Sequence, residues 1–202
     1  PAEMLGANPW TVYARAYNPE YDDNVGTLIH WGTKWANGAN AALNLDDHAN
    51  GAYQHWYADA AYNPLPTPGV WHDIVLTYDG NIEILYVDGV VNGEPAQRTL
   101  NIGDGAAANI LSFTLGADRD NENNLTGSIA KIQAYPRALT AQEVQNLIAG
   151  NTAGLPTPLL NLDASNLPEG ELTQWTSTGS VNATFNPVNI PPSVRPTVVE
   201  IE

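Results

Sequence analysis

The chain has 202 residues, no cysteine, and 22 acidic against seven basic side chains, for a formal net charge of −15. Without thiols, disulfide frameworks and thiolate metal sites are excluded. A surface this acidic repels phosphate backbones and anionic lipid, which argues against nucleic acid and membrane surfaces as partners, and no apolar run reaches the roughly 18 residues that span a bilayer. A chain of this length suits one large domain, or a domain with an appendage, burying roughly 70% of its unfolded surface without staples. No leader precedes Pro1, so the amino end is expected to be processed or excised.

Along the chain, the first strand is predicted over Trp10 to Tyr17, where Trp10, Val12, Ala14 and Ala16 share one face and Thr11, Tyr13, Arg15 and Tyr17 the other. Asn18-Pro19 ends it. After an acidic turn, Gly26 to Gly32 reads as the second strand and Ala41 to Leu45 as the third. Asp46 to Gly51 is a turn, and Ala52 to Tyr57 a further short strand. Asn63 to Gly69 holds three prolines in seven residues, so it must be a surface connection and not a ladder strand.

Val70 to Ile148 is the most ordered stretch. Ile74, Leu76 and Tyr78 alternate with Val75 and Thr77 up to Asp79-Gly80. Ile82, Ile84 and Tyr86 alternate with Glu83, Leu85 and Val87 up to Asp88-Gly89. Period-two alternation broken by Asp-Gly predicts hairpins with one wet and one dry face. A short strand is expected around Leu100 to Ile102, another over Leu111 to Leu115, a polar loop over Gly116 to Asn124, and a strand over Gly127 to Tyr135. Thr140-Ala-Gln-Glu143 is a capping box, and Val144, Leu147 and Ile148 form an apolar stripe. They predict the one helix, about 140–149, stopped by Gly150 and placed against the edge of the sheets.

The runs W-H-D-I-V-L-T-Y-D-G, L-Y-V-D-G-V and G-S-I-A-K-I-Q-A-Y-P-R-A-L-T resemble the laminin-G-like members of the concanavalin A-like superfamily, from about Pro9 to about Ile148. More narrowly, they resemble modules of bacterial secreted and surface proteins. The resemblance implies an all-β, two-sheet antiparallel jelly-roll sandwich, and an extracellular or cell-surface location. It leaves activity open, because this fold hosts lectins, adhesion modules, glycosidases and plain spacers.

Residues 1–150 are therefore expected to be the jelly-roll domain, 151–158 a linker and 159–202 a separate C-terminal segment. That segment reads L-L-N-L-D-A-S … W … G-S … F, a pattern that the resemblance places before the first strand of a module, not after its helix. Leu160, Leu162, Trp175, Phe185, Val198 and Ile201 are costly to leave in water. They are expected to complete a sandwich, in their own copy or a neighbouring one, unless the segment is the start of the next repeat in a tandem array.

Three kinds of site compete. Trp35, Tyr53, His55, Tyr57 and Tyr62 are candidates for an aromatic platform on which sugar rings stack, whereas Trp31 and Trp56 are expected in the core. Asp118, Asp120 and Glu122, on alternate positions of an amide-rich loop, are candidate metal ligands, and Ca2+ is the cofactor that hard oxygen donors suggest. Asp22, Asp23, Asp46, Asp47 and Asp59 form a weaker set with turn formation as the plain explanation. His72 is expected to be structural. The superfamily's glycosidases carry three acidic residues at near-alternate strand positions; no strand here does, and Glu83 stands alone on its own. No catalytic residue is assigned. The first expectation is a non-catalytic structural or self-assembling surface or filament subunit, whose partners are copies of itself or neighbouring modules. The alternative is a calcium-assisted carbohydrate-binding adhesion module with glycan partners, and the third a polysaccharide hydrolase or lyase.

Overall fold

A computed structural model of the chain describes residues 1–33, 36–56, 58–103, 113–118, 120, 122–187 and 197–199. In chain order the strands are β1 (Trp10–Tyr17), β2 (Thr27–Gly32), β3 (Asn40–Asn44), β4 (Tyr53–Gln54), β5 (Trp71–Tyr78), β6 (Ile82–Val87), β7 (Val90–Val91), β8 (Ala96–Gln97), β9 (Thr114–Leu115) and β10 (Ser128–Tyr135). Helix α1 (Ala141–Ile148) follows. The tail adds β11 (Leu160–Asp163), β12 (Gly170–Glu171), β13 (Trp175–Thr176), β14 (Thr184–Phe185) and β15 (Thr197–Val198). A seven-stranded sheet in the order β11-β10-β1-β5-β6-β7, with β8 also on β6, faces a four-stranded sheet in the order β4-β3-β2-β9. Their pairings are antiparallel, as a jelly-roll sandwich requires.

The inward faces are those the alternation predicts for β1 and β5. Trp10, Val12, Ala14, Ile74, Leu76 and Tyr78 are fully buried and meet Ile29, Trp31, Ala41 and Leu43 from the facing sheet. Trp10 and Trp31 meet edge to face with centroids 5.1 Å apart, an arrangement worth about 0.5–1.5 kcal/mol beyond its buried area. Asp88 and Gly89 both have positive φ, 51° and 80°, the pair of left-handed residues that a tight two-residue hairpin demands. The earlier Asp79-Gly80 turn is built otherwise: Asp79 Oδ1 accepts from the N–H groups of Asn81 and Ile82.

The outer face of the large sheet is not wet where the sequence predicts it to be. Tyr13, Val75, Tyr86 and Tyr135 are buried there beneath Val144 and Leu147 of α1. The helix thus lies on the face of the sheet and not at its edge. A stripe of two or three apolar side chains needs an apolar floor, and these outward aromatics supply it. The capping box forms as predicted, Glu143 N–H donating to Thr140 Oγ1 and Thr140 N–H to Glu143 Oε2. Arg137 grips the same carboxylate at 2.8 and 2.6 Å, and together these donors hold the Glu143 carboxyl at about 2. Thr11 ties this region down by donating to Arg137 O and accepting from Leu139 N–H.

Three predicted strands differ. Ala52 to Tyr57 shrinks to Tyr53–Gln54, because Trp56 turns the chain with φ 59°; Trp56 is half-buried and not a core residue, and Tyr57 lies outside the described residues. Around Leu100 only a bridge between Gly6 and Ile102 forms. Of Leu111 to Leu115, Thr114–Leu115 is a strand, and 111 and 112 lie outside the described residues.

The tail adds to its own sandwich. Leu160 pairs with Ala134 and Leu162 with Ile132, which turns both leucines into the core alongside Trp175. Phe185 packs partly against that core, Val198 is half-buried on the β12–β15 ribbon, and Ile201 lies outside the described residues. The far side of β11 is then covered: Asn161 N–H donates to Ser177 Oγ, while the N–H groups of Thr178, Ser180 and Val181 reach the carbonyls of Asn161, Pro158 and Leu159. A Cβ on Gly179 would stand 2.4 Å from Leu159 O, so only glycine permits this approach.

Candidate functional site

Glu83, His55 and Arg98 form an acid–base group inside the sandwich. On β6 the inward positions are Glu83, Leu85 and Val87, so register carries Glu83 into the core, where its side chain has no exposure. His55, just past β4, meets it there: Nε2 lies 2.6 Å from Glu83 Oε1, and Nδ1 lies 2.8 Å from Asn40 O. A carbonyl only accepts, so Nδ1 carries its hydrogen, and the pair share one further proton across the 2.6 Å contact. Burial opposes a charge on His55, but the Glu83 carboxylate outweighs it and the ring's pKa is raised. Arg98 completes the group, with Nε 3.5 Å from Glu83 Oε2 and Nη2 donating to Tyr53 OH at 3.2 Å.

Sequence reasoning missed Glu83 and Arg98. The parity of β6 groups Glu83 with Leu85 and Val87 but does not say which face is inward. Arg98 gave no signal, because it sits in an irregular connection.

The aromatic platform does not form on the surface. Tyr53, His55 and Tyr62 are 5%, 0% and 7% exposed and belong to the core or its polar lining. Tyr62 OH donates to Asn44 O at 2.6 Å, and burial raises its pKa. The reason is packing: Tyr53 and Tyr62 fill space in the hydrophobic core between the sheets. Trp35 and Tyr57 lie outside the described residues.

Asp118 is 4% exposed, and its oxygens face its own loop, accepting from Asp120 N–H, Glu122 N–H and Asn123 Nδ2. This is the geometry of a folded polar turn. Asp46 behaves likewise, accepting from Asn18 Nδ2 and from the N–H groups of Asp22 and Asp47. Among the described residues no three His, Asp or Glu side chains are placed to hold a metal ion.

Next to the acid–base group, a pocket of about 320 Å³ opens between the first residues (Leu5, Gly6), the β2–β3 loop (Thr33, Ala36, Ala39) and the segment Asn101, Ile102 and Gly103. Backbone bonds brace it. Gly6 and Ile102 exchange N–H···O bonds, Asn101 N–H donates to Gly38 O, and Thr33 Oγ1 donates to Gly103 O. His55 reaches the same wall, because its carbonyl accepts from Gly38 N–H.

The family model of the concanavalin A-like lectin/glucanases superfamily matches residues 1–145. The chain belongs to this superfamily. No curated protein sequence matches it. Among solved structures, this concanavalin A-like chain overlays a proposed carbohydrate binding protein from Bacteroides ovatus with a TM-score of 0.65 and 15% identity, over 90% of this chain and 54% of that one. Trypanosoma rangeli sialidase overlays with a TM-score of 0.53 and 20% identity, over 74% of this chain and 24% of that one. The chain thus spans about half of the first protein and a quarter of the second. At these identities the overlays establish the concanavalin A-like fold and nothing finer. Among the described residues no helix is long and apolar enough to cross a membrane.

Proposed function

We propose that the chain is a non-catalytic carbohydrate-binding module that acts outside the cell or on its surface. The observation that carries this reading is the overlay of nine-tenths of the chain on a proposed carbohydrate binding protein, within a superfamily described by lectins and glucanases. A non-catalytic role is supported by where the acid–base groups sit. Glu83 and His55 have no side-chain exposure, so neither can reach a glycosidic bond.

A subunit that assembles by donating its tail is less well supported. Leu160, Leu162 and Trp175 are already spent in the chain's own core, and the outer side of β11 is covered. An array of glycans probed with calcium and with chelator tests the first reading: binding to at least one glycan is expected, and none in either condition overturns it. Sizing the purified chain tests the second, with a monomer expected. Release of reducing sugar from any bound polysaccharide would overturn the non-catalytic role.

A further inference from the structure

We propose that the pocket between Leu5, Ala36 and Asn101 binds an uncharged sugar unit of a carbohydrate chain. This rests on the carbohydrate-binding reading and deepens it by naming the place and the ligand class.

Size comes first. About 320 Å³ is at the lower end of the ~300–1,000 Å³ typical of small-molecule pockets, room for about one sugar ring. The lining chemistry has two parts. Leu5, Ala36 and Ala39 give an apolar floor suited to the C–H face of a ring, with the buried Ile102 beneath. At the rim, the exposed Asn101 amide makes no hydrogen bond to another described residue, and it offers both donors and an acceptor to adjacent hydroxyls.

Charge decides between neutral and acidic sugars. The described lining residues are uncharged. The net charge of −15 also repels anionic glycans before contact. Backbone bonds between Gly6 and Ile102 and from Asn101 to Gly38 brace these parts of the wall against one another. Little ordering cost then falls on binding.

The test uses the whole chain against oligosaccharides ending in neutral hexoses or pentoses, beside matched uronate-ended and sialylated ones. Amide shifts of the wild type are followed by NMR, and affinities of wild type, Asn101→Ala and Ala36→Trp by calorimetry, with thermal melts to show that both variants fold. A neutral glycan is expected to bind and to move the Gly6, Gly38 and Ile102 amides. Asn101→Ala should weaken it about tenfold, as loss of one or two neutral hydrogen bonds does, and Ala36→Trp should abolish it by filling the space. Neutral binding that leaves those amides and both variants unaffected overturns the pocket while sparing the carbohydrate reading. So does binding of acidic glycans alone. No binding of any glycan overturns both. Should Ala36→Trp fail to fold, the wild-type shifts and Asn101→Ala decide.

Discussion

Two histidine–carboxylate pairs in this molecule have the same chemistry, but their carboxylates have opposite surroundings. His55 sets one ring nitrogen against Asn40 O and the other against Glu83, inside the sandwich. His72 does the same at the rim, with Nε2 2.9 Å from Thr67 O and Nδ1 2.8 Å from Asp88 Oδ2. Glu83 has no exposed side-chain surface, whereas Asp88 keeps 51% of its own. Distance therefore does not rank these pairs. Water does: the interior pair has no substitute partner when one member is removed, and the rim pair has solvent.

The largest break should come from Glu83→Ala. It leaves His55 and the nearby Arg98 without their counter-charge in the core, and about 3–5 kcal/mol of stability should be lost, read from denaturant midpoints. The pH dependence sharpens the point. Because the His55 pKa is raised in the folded chain, its contribution is complete below the unfolded value of about 6.5 and is lost as pH climbs through the raised one. Melting temperature should fall over that window and flatten in Glu83→Gln. A slope unchanged by Glu83→Gln would refute the shared proton.

Between the extremes stands the half-exposed Arg137–Glu143 pair at the helix start. Thr140→Ala should cost about 1 kcal/mol by removing the cap. With the Glu143 carboxyl lowered from 4.5 to about 2, the helix end should hold above pH 4.5 and loosen as pH falls through 2, seen by circular dichroism. The smallest effect is expected from His72→Gln, no more than about 1 kcal/mol by the same denaturant assay.

The same contrast explains what could be read from the residues alone. β1 and α1 were legible because each carries a one-sided signal: strict alternation from Trp10 to Tyr17, and Thr140 three positions before Glu143. On β6 both faces are apolar, Ile84 and Tyr86 on one and Leu85 and Val87 on the other, so alternation could not say which was inward. Nothing local therefore marked Glu83 as inward, and a helix covering the opposite face is invisible to local pattern. The tail's need for cover was plain from Leu160, Leu162 and Trp175, but local pattern does not say whose sheet receives them. Nor could the pocket be read. Leu5, Thr33 and Asn101 are far apart in sequence, and backbone bonds join them, which any residue type can make.

The strap from Ser177 to Val181, admitted by the bare α-carbon of Gly179, closes the flank of β11 to any further ribbon. Copies of this module crowded shoulder to shoulder would find no open zipper on that flank.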